Sequence, residues 1–190
     1  MRHRLLGKIS RKIIDKDVYE IAASMFVSTT FGILGGFMLL SVTDKLYLLP
    51  AFLVMLPGYL ELHGSIFGSF AARIATALEM KEIPKKFSVS KVISQNVTAS
   101  IFLLVVVSIV LGLLAYFLTL FLFKESQLSI IFIALIASVV SMLIEFPLAL
   151  IGTYYSFKKG LDPDDVLGPY ITTLLDITGI ASLVLVLNFI

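Results

Sequence analysis

The chain has 190 residues, 58% of them hydrophobic and 15% charged, with a formal net charge of +2 and a mean hydropathy of +1.02. Soluble domains carry about 25% charged residues, so the composition excludes an ordinary soluble protein and indicates a chain whose solvent is lipid. Cysteine is absent, which excludes disulfides and thiolate metal sites.

Residues 1–18 alternate basic side chains with apolar ones at near-helical spacing. We interpret them as a basic amphipathic helix lying on the inner membrane surface, where anionic lipids of the inner leaflet would bind it. The alternative is a frayed basic tail that only fixes the orientation of the chain. Residues 19–190 then form a single transmembrane domain.

Five apolar segments follow, each long enough to cross a hydrocarbon core of about 30 Å at 1.5 Å per residue. They cover residues 19–42, 46–78, 92–123, 128–157 and 165–190. Thirteen Lys and Arg residues lie on the side of the N-terminus, whereas Lys45 and Lys124 lie on the other side. Because basic residues stay in the cytoplasm, we predict an all-α integral membrane protein with five transmembrane helices, the N-terminus inside and the C-terminus outside.

The second segment combines helix breakers with small residues. Pro50, Pro57 and Gly58 interrupt its outer half, which predicts a broken helix whose backbone carbonyls face a pore, as in transporters. Small residues then recur every four positions, which is typical of a ridge that packs closely against another helix: Gly64, Gly68, Ala72 and Thr76. For the ridge alone, packing is the preferred interpretation.

Three carboxylates fall within apolar segments: Glu61, Glu145 and Asp176. Each must face a protein interior or a wet cavity, because lipid offers no partner. No Lys or Arg lies at a comparable depth, so either protonation or a bound cation is expected. Glu145 precedes Pro147 and either lines an ion path or accepts hydrogen bonds freed by a proline kink. His63 could bind a metal, although a lone histidine more often forms a local hydrogen bond.

Asp176 is the strongest candidate for a cation ligand. Thr172 and Thr173 precede it by four and three residues, so the three share one helical face. Pro169 lies about two turns earlier and leaves a backbone carbonyl unpaired. This stripe of oxygens is the ligand set that hard cations prefer. The alternative is a protonated aspartic acid that joins two helices.

Acidic residues cluster where the fifth segment begins: Asp162, Asp164 and Asp165. Their expected role is to cap the helix, because acids stabilise the positive end of its dipole. The alternative is an access point for cations from the cytoplasm.

Two stretches resemble a known family. The segment GLDPDDVLGPYITTLLDITG is similar to the last helix of the MgtE-type magnesium channels and of their eukaryotic solute-carrier relatives, and it matches their pattern at Gly160, Asp162, Pro163, Pro169, Thr172 and Asp176. The stretch LPGYLELHGSIFGSFAARIAT is similar to the family's second-helix signature at Pro57, Gly64, Arg73 and Thr76. Ser65 stands where the family usually has Asn, and Glu61 and His63 are additions.

The resemblance implies a homodimer with a pore at or near the interface, lined by the fifth helices, that transports Mg²⁺. It places Gly64 and Ser65 in the ion site with Asp176. From the residues themselves we add Glu61 to that site and take His63, Glu145, Pro57 and Pro169 as secondary or pore-lining positions. Sodium-coupled exchange, with Na⁺ as the coupling ion, is the alternative to a channel. The large cytoplasmic sensing domains of bacterial relatives are absent from this sequence.

Other classes of protein are less consistent with the sequence. An intramembrane aspartyl protease would need a G-x-G-D stretch that is not present, so we expect no enzyme. A non-transporting membrane scaffold would use Asp176 for assembly alone. We expect a multi-pass protein of a prokaryotic plasma membrane, with no nucleic-acid partner.

Overall fold

The computed structural model describes residues 22, 25–26, 28–84, 90–124, 127–159 and 163–189, with backbone alone for residues 47–48 and 163–170. Within these residues the regular elements are helices: α1 Ser28–Leu40, α2 Thr43–Leu48, α3 Pro50–Glu79, α4 Lys91–Phe123, α5 Ser129–Lys159 and α6 Pro163–Phe189. The predicted basic helix of residues 1–18 lies outside the described residues.

Four of these helices are long and apolar enough to cross a membrane: α3, α4, α5 and residues Ile171–Phe189 of α6. They correspond to the second to fifth predicted segments and confirm an all-helical, multi-pass membrane fold. The described part of α1 is apolar but shorter. The first predicted span, residues 19–42, stays a prediction, and so does the orientation of the chain in the membrane.

The long helices pack around a central pair. Both α3 and α5 contact each other and the remaining two long helices, so α4 and α6 lie on opposite sides of the α3–α5 pair. An aromatic column on α3, formed by Tyr59, His63, Phe67 and Phe70, follows this central seam. Phe146 of α5 packs edge-on against Phe67 and Phe70, with ring centroids 4.9 and 5.2 Å apart. Side chains at this seam therefore lie deepest in the bundle.

The break predicted at Pro57 and Gly58 is wrong: α3 is continuous from Pro50 to Glu79. The interruption lies at Leu49, and Pro50 begins the helix, where its missing N–H has no intrahelical partner to lose. Gly58 instead allows close packing on α4, because a Cβ atom there would lie 2.7 Å from Leu111 Cδ1. Pro57 and Gly58 therefore do not divide α3 into two segments.

Small and hydroxylated residues form the packing face of α4. Its buried positions include Ser100, Ser108, Gly112 and Ala115, whereas large side chains such as Phe102 face outward. In lipid, small residues let helices approach closely. At Gly112 the approach is closest, since a Cβ atom would lie 2.7 Å from the backbone Cα of Ile131 on α5.

We expect Gly112→Ala to lower the free energy of unfolding by about 1–3 kcal/mol, because the added methyl group forces the α4 and α5 backbones apart. Gly36→Ala is the matched control, since a Cβ atom at Gly36 meets nothing within 4 Å. Thermal unfolding of both variants in detergent measures the effect. Equal melting temperatures for the two variants would contradict the close approach.

A lysine ties α2 to the end of α6. The ammonium group of Lys45 donates a hydrogen bond to the backbone carbonyl of Leu187. A cation at this position also stabilises the negative end of the helix dipole. The C-terminal end of α6 is therefore anchored to the segment that precedes α3.

Candidate functional site

A buried ionisable pair lies at the centre of the bundle. The Nδ1 atom of His63 on α3 lies 2.6 Å from Oε2 of Glu145 on α5, in hydrogen-bonding geometry. Both side chains are fully buried, and His63 stacks between Tyr59 and Phe67. Charges so far from water are tolerated when they are paired and hydrogen-bonded. Glu145 thus has its partner within the chain.

Hydroxyl groups extend this pair to the other two long helices. The second ring nitrogen of His63 lies 3.2 Å from Ser138 Oγ, to which Ser108 of α4 donates a hydrogen bond of 2.8 Å. The remaining oxygen of Glu145 accepts hydrogen bonds from Ser141 and, at 3.0 Å, from Thr178 of α6. We call His63, Ser108, Ser138, Ser141, Glu145 and Thr178 the central polar network.

The hydroxyl group of Tyr59 borders this network without joining it. It lies near Ser138 and Ser141, yet it has no hydrogen-bond partner within the part of the chain that the structure describes. A buried, unpaired hydroxyl is uncommon. The polar interior therefore extends past the six residues of the central polar network toward Tyr59.

A second polar region faces outward from α3 and α6. On α3, Glu61, Ser65, Ala72 and Thr76 are exposed along one side of the helix, and Ser65 donates a hydrogen bond of 2.9 Å to Glu61. On α6, Thr172 is exposed and Asp176 half-buried. We call these six residues the outer polar face. It brings together two of the three carboxylates within apolar helices.

The small-residue ridge of α3 runs along the same side and is open. A Cβ atom added at Gly64 or Gly68 would meet nothing within 4 Å, so no helix among the described residues packs closely there. The packing of this ridge against another helix is therefore not seen among the described residues and stays a prediction.

The carboxylates of the two regions influence one another. Asp176 lies within electrostatic range of Glu145, Glu61 and His63, which places it near both the outer carboxylate of α3 and the buried pair. Thr172 lies on the outer side with Asp176, whereas Thr173 is buried. Of the two predicted threonine ligands, Thr172 shares the outer polar face with Asp176 and Thr173 does not.

Comparison with known families identifies the family of this chain. The sequence model of the MgtE divalent cation transporters matches residues 56–186, more than half of the 190 residues. The chain belongs to the MgtE family. The match runs from the Pro57 region of α3 almost to the end of α6, and so includes both polar regions. No curated protein matches the sequence.

The remaining predicted positions are divided between described and undescribed parts of this MgtE domain. Asp162 lies outside the described residues, as do the side chains of Asp164, Asp165 and Pro169. Pro57 is exposed on α3. Among the described residues, no group of three His, Cys, Asp or Glu side chains of one chain is arranged to hold a metal ion.

The central polar network is the part of the MgtE domain that sequence reasoning missed. Glu145 does not serve the proline kink considered for it, since its hydrogen bonds come from His63, Ser141 and Thr178. The available signal was the presence of Ser108, Ser138 and Ser141 in otherwise apolar helices. Such hydroxyls indicate a polar interior without showing which residues pair.

Proposed function

We propose that the protein is a homodimeric Mg²⁺ transporter whose ion path lies between the outer polar faces of two copies, with Asp176 of each copy as the principal ligand. The observation that carries this proposal is the placement of an exposed Glu61 and a half-buried Asp176 on one side of the bundle, within helices apolar enough to cross a membrane. Membership of a divalent cation transporter family supports the transport itself.

The cost of leaving carboxylates in lipid supports the second copy. An acidic side chain at the bilayer centre costs about 2.5–3.5 kcal/mol by insertion scales, and the outer polar face contains two. Glu145, in contrast, is fully buried and paired. Two copies related by a two-fold axis would turn the two faces toward each other and away from lipid.

The shape of α3 supports close contact between the copies. Gly64 and Gly68 leave open space beside Glu61 and Ser65, and small residues are typical of interfaces where transmembrane helices approach closely. The interface we propose therefore runs along α3, with the exposed side of α6 beside it.

The chemistry of Mg²⁺ fits this arrangement. Magnesium prefers oxygen ligands in octahedral geometry and keeps several waters, so it needs few protein ligands. Two Asp176 carboxylates would supply a charge of −2 and so match the dication. Thr172 and Ser65 add hydroxyl oxygens, and Glu61 adds a second pair of carboxylates toward one end of the path. Retained waters complete the shell.

The function is tested by flux into proteoliposomes that contain a Mg²⁺-sensitive dye. We expect the purified protein to admit Mg²⁺, with empty vesicles as the control. Repeating the assay without a sodium gradient separates the mechanisms, because a channel keeps its rate and a sodium-coupled exchanger loses it. A dimeric protein that moves no divalent cation would reject the proposal in favour of a scaffold.

A single introduced cysteine tests the interface, since the chain contains none. We expect Ala72→Cys, in the middle of the outer polar face, to form a covalent dimer upon mild oxidation or with a short thiol cross-linker, because disulfides need Cα atoms within about 7 Å of each other. Phe102→Cys, on the outward side of α4, is the control and should stay monomeric on denaturing gels. Cross-linking at Phe102→Cys alone would move the interface to α4.

A further inference from the structure

Glu145 connects two helices with the two oxygens of one carboxylate. Oε2 is paired with His63 of α3 at 2.6 Å, and Oε1 lies 3.0 Å from the Thr178 hydroxyl of α6. That hydroxyl shares its one proton between Glu145 and the carbonyls of Leu174 and Leu175, at 2.9 and 3.1 Å. The carboxylate thus forms a bridge from α3 through α5 to α6. His63 and Glu145 lie inside the bundle and Thr178 is half-buried, and none of the three belongs to the outer polar face.

The two ends of the bridge, His63 and Thr178, each lie two residues after one of the outer carboxylates. His63 follows Glu61 by two residues, and Thr178 follows Asp176 by two residues. Residues two apart on an α-helix are separated by about 200° around the helix axis, so their side chains point to nearly opposite sides. The turn that carries His63 inward therefore carries Glu61 outward, whereas Asp176 and Thr178 are both half-buried on α6.

Further hydrogen bonds connect the bridge to α4. His63 contacts Ser138 at 3.2 Å, and Ser138 accepts a hydrogen bond from Ser108 of α4. In an interior of low dielectric constant, such connected hydrogen bonds strengthen one another and hold one arrangement. The turn of α3 that carries Glu61 is thus held against α4 and α5 and cannot rotate without breaking several bonds.

From this geometry we propose that His63, Glu145 and Thr178 are positioning residues that set the separation of Glu61 and Asp176, and thereby the affinity and selectivity of the ion site. The inference rests on the proposed function. Groups that orient a metal ligand without touching the metal typically change its affinity or activity by about 10–100-fold when replaced. A purely structural role would instead change stability and the amount of folded protein.

The test compares variants of Thr178 in the proteoliposome flux assay. Thr178→Val preserves the shape of the side chain and removes the hydroxyl group that reaches Glu145. We expect the Mg²⁺ concentration for half-maximal flux to rise by about tenfold or more, with a changed ratio of Mg²⁺ to Ca²⁺ flux. Thr178→Ser retains the hydroxyl group and should restore both quantities.

Ser182→Ala is the matched control. Ser182 is buried on the same helix, one turn later, and its hydroxyl group donates to the Thr178 carbonyl within α6. The control thus removes a hydrogen bond whose donor and acceptor both belong to α6. It should leave the Mg²⁺ concentration for half-maximal flux and the ratio of Mg²⁺ to Ca²⁺ flux unchanged. Gel filtration and melting temperature report on the assembly of every variant. Thr178→Ala replaces Thr178→Val if the latter does not assemble.

Two outcomes reject the inference separately from the function. If the wild-type protein transports Mg²⁺ while Thr178→Val shows unchanged half-saturation and selectivity, the bridge does not position the site and the proposed function stands. The same conclusion follows if Thr178→Val lowers only the melting temperature and the maximal rate. If the assembled wild-type protein moves no Mg²⁺, both the function and the inference are rejected.

Discussion

Asp176→Asn is expected to reduce Mg²⁺ flux by at least about a hundredfold while the dimer stays intact. At 4 Å a unit charge pair in an effective dielectric of 20 is worth about 4 kcal/mol, and each 1.4 kcal/mol corresponds to about a factor of ten in an equilibrium constant. The substitution keeps the size of the side chain and removes one negative charge from each copy. Losing a charge of −2 at the proposed site therefore removes most of the attraction for a dication.

Flux at equal reconstitution measures this effect, and Asp44→Asn is its matched control. Asp44 is an exposed carboxylate in the first turn of α2, so the same change of acid to amide occurs away from the outer polar face. If Asp176→Asn conducts as well as Asp44→Asn, the principal ligand lies elsewhere. Glu61→Gln would then be the next variant to measure.

Removing one member of the buried pair is expected to have the largest effect on stability. We expect Glu145→Leu to lower the free energy of unfolding by about 3–5 kcal/mol, because it leaves His63 in the centre of the bundle without its partner. The double variant His63→Leu with Glu145→Leu should recover most of that loss, since apolar side chains of similar size replace a buried pair at little cost. Thermal unfolding of the wild-type, single and double variants in detergent gives the coupling between the two residues.

Ser141→Ala is the control for this comparison. It removes a hydrogen bond to Glu145 from the same helix and should cost about 1 kcal/mol. Equal losses for Ser141→Ala and Glu145→Leu would mean that the pair with His63 contributes little. A double variant as unstable as the sum of its two single variants would show that the two side chains act independently.

The sequence was informative where a pattern repeats along one helix. Length and hydropathy located α3, α4, α5 and α6, and the four-residue recurrence of small residues placed Gly64 and Gly68 on one side of α3, where no described helix packs closely. The segment around Asp176 was sufficient to suggest the family. These features depend on the order of residues within one element, so a single sequence contains them.

The pairing of His63 with Glu145 could not be predicted in this way. The two residues are 82 positions apart on different helices, and no periodicity in either helix fixes how α3 and α5 rotate about their axes. The break expected at Pro57 was wrong for a related reason. A proline removes one hydrogen bond from a helix, yet α3 continues through Pro57. There the next residue, Gly58, packs closely against Leu111 of α4, a contact that the sequence of α3 alone does not contain.

The tie between Lys45 and Leu187 limits how α6 can move. A piston-like slide of α6 along its axis would break this bond at one end and the bond from Thr178 to Glu145 in the middle. A rotation of α6 about its axis would also break the bond from Thr178 to Glu145, because that side chain lies off the axis and would swing away. The two bonds together therefore resist a change in the depth of Asp176 and a change in the direction in which it points.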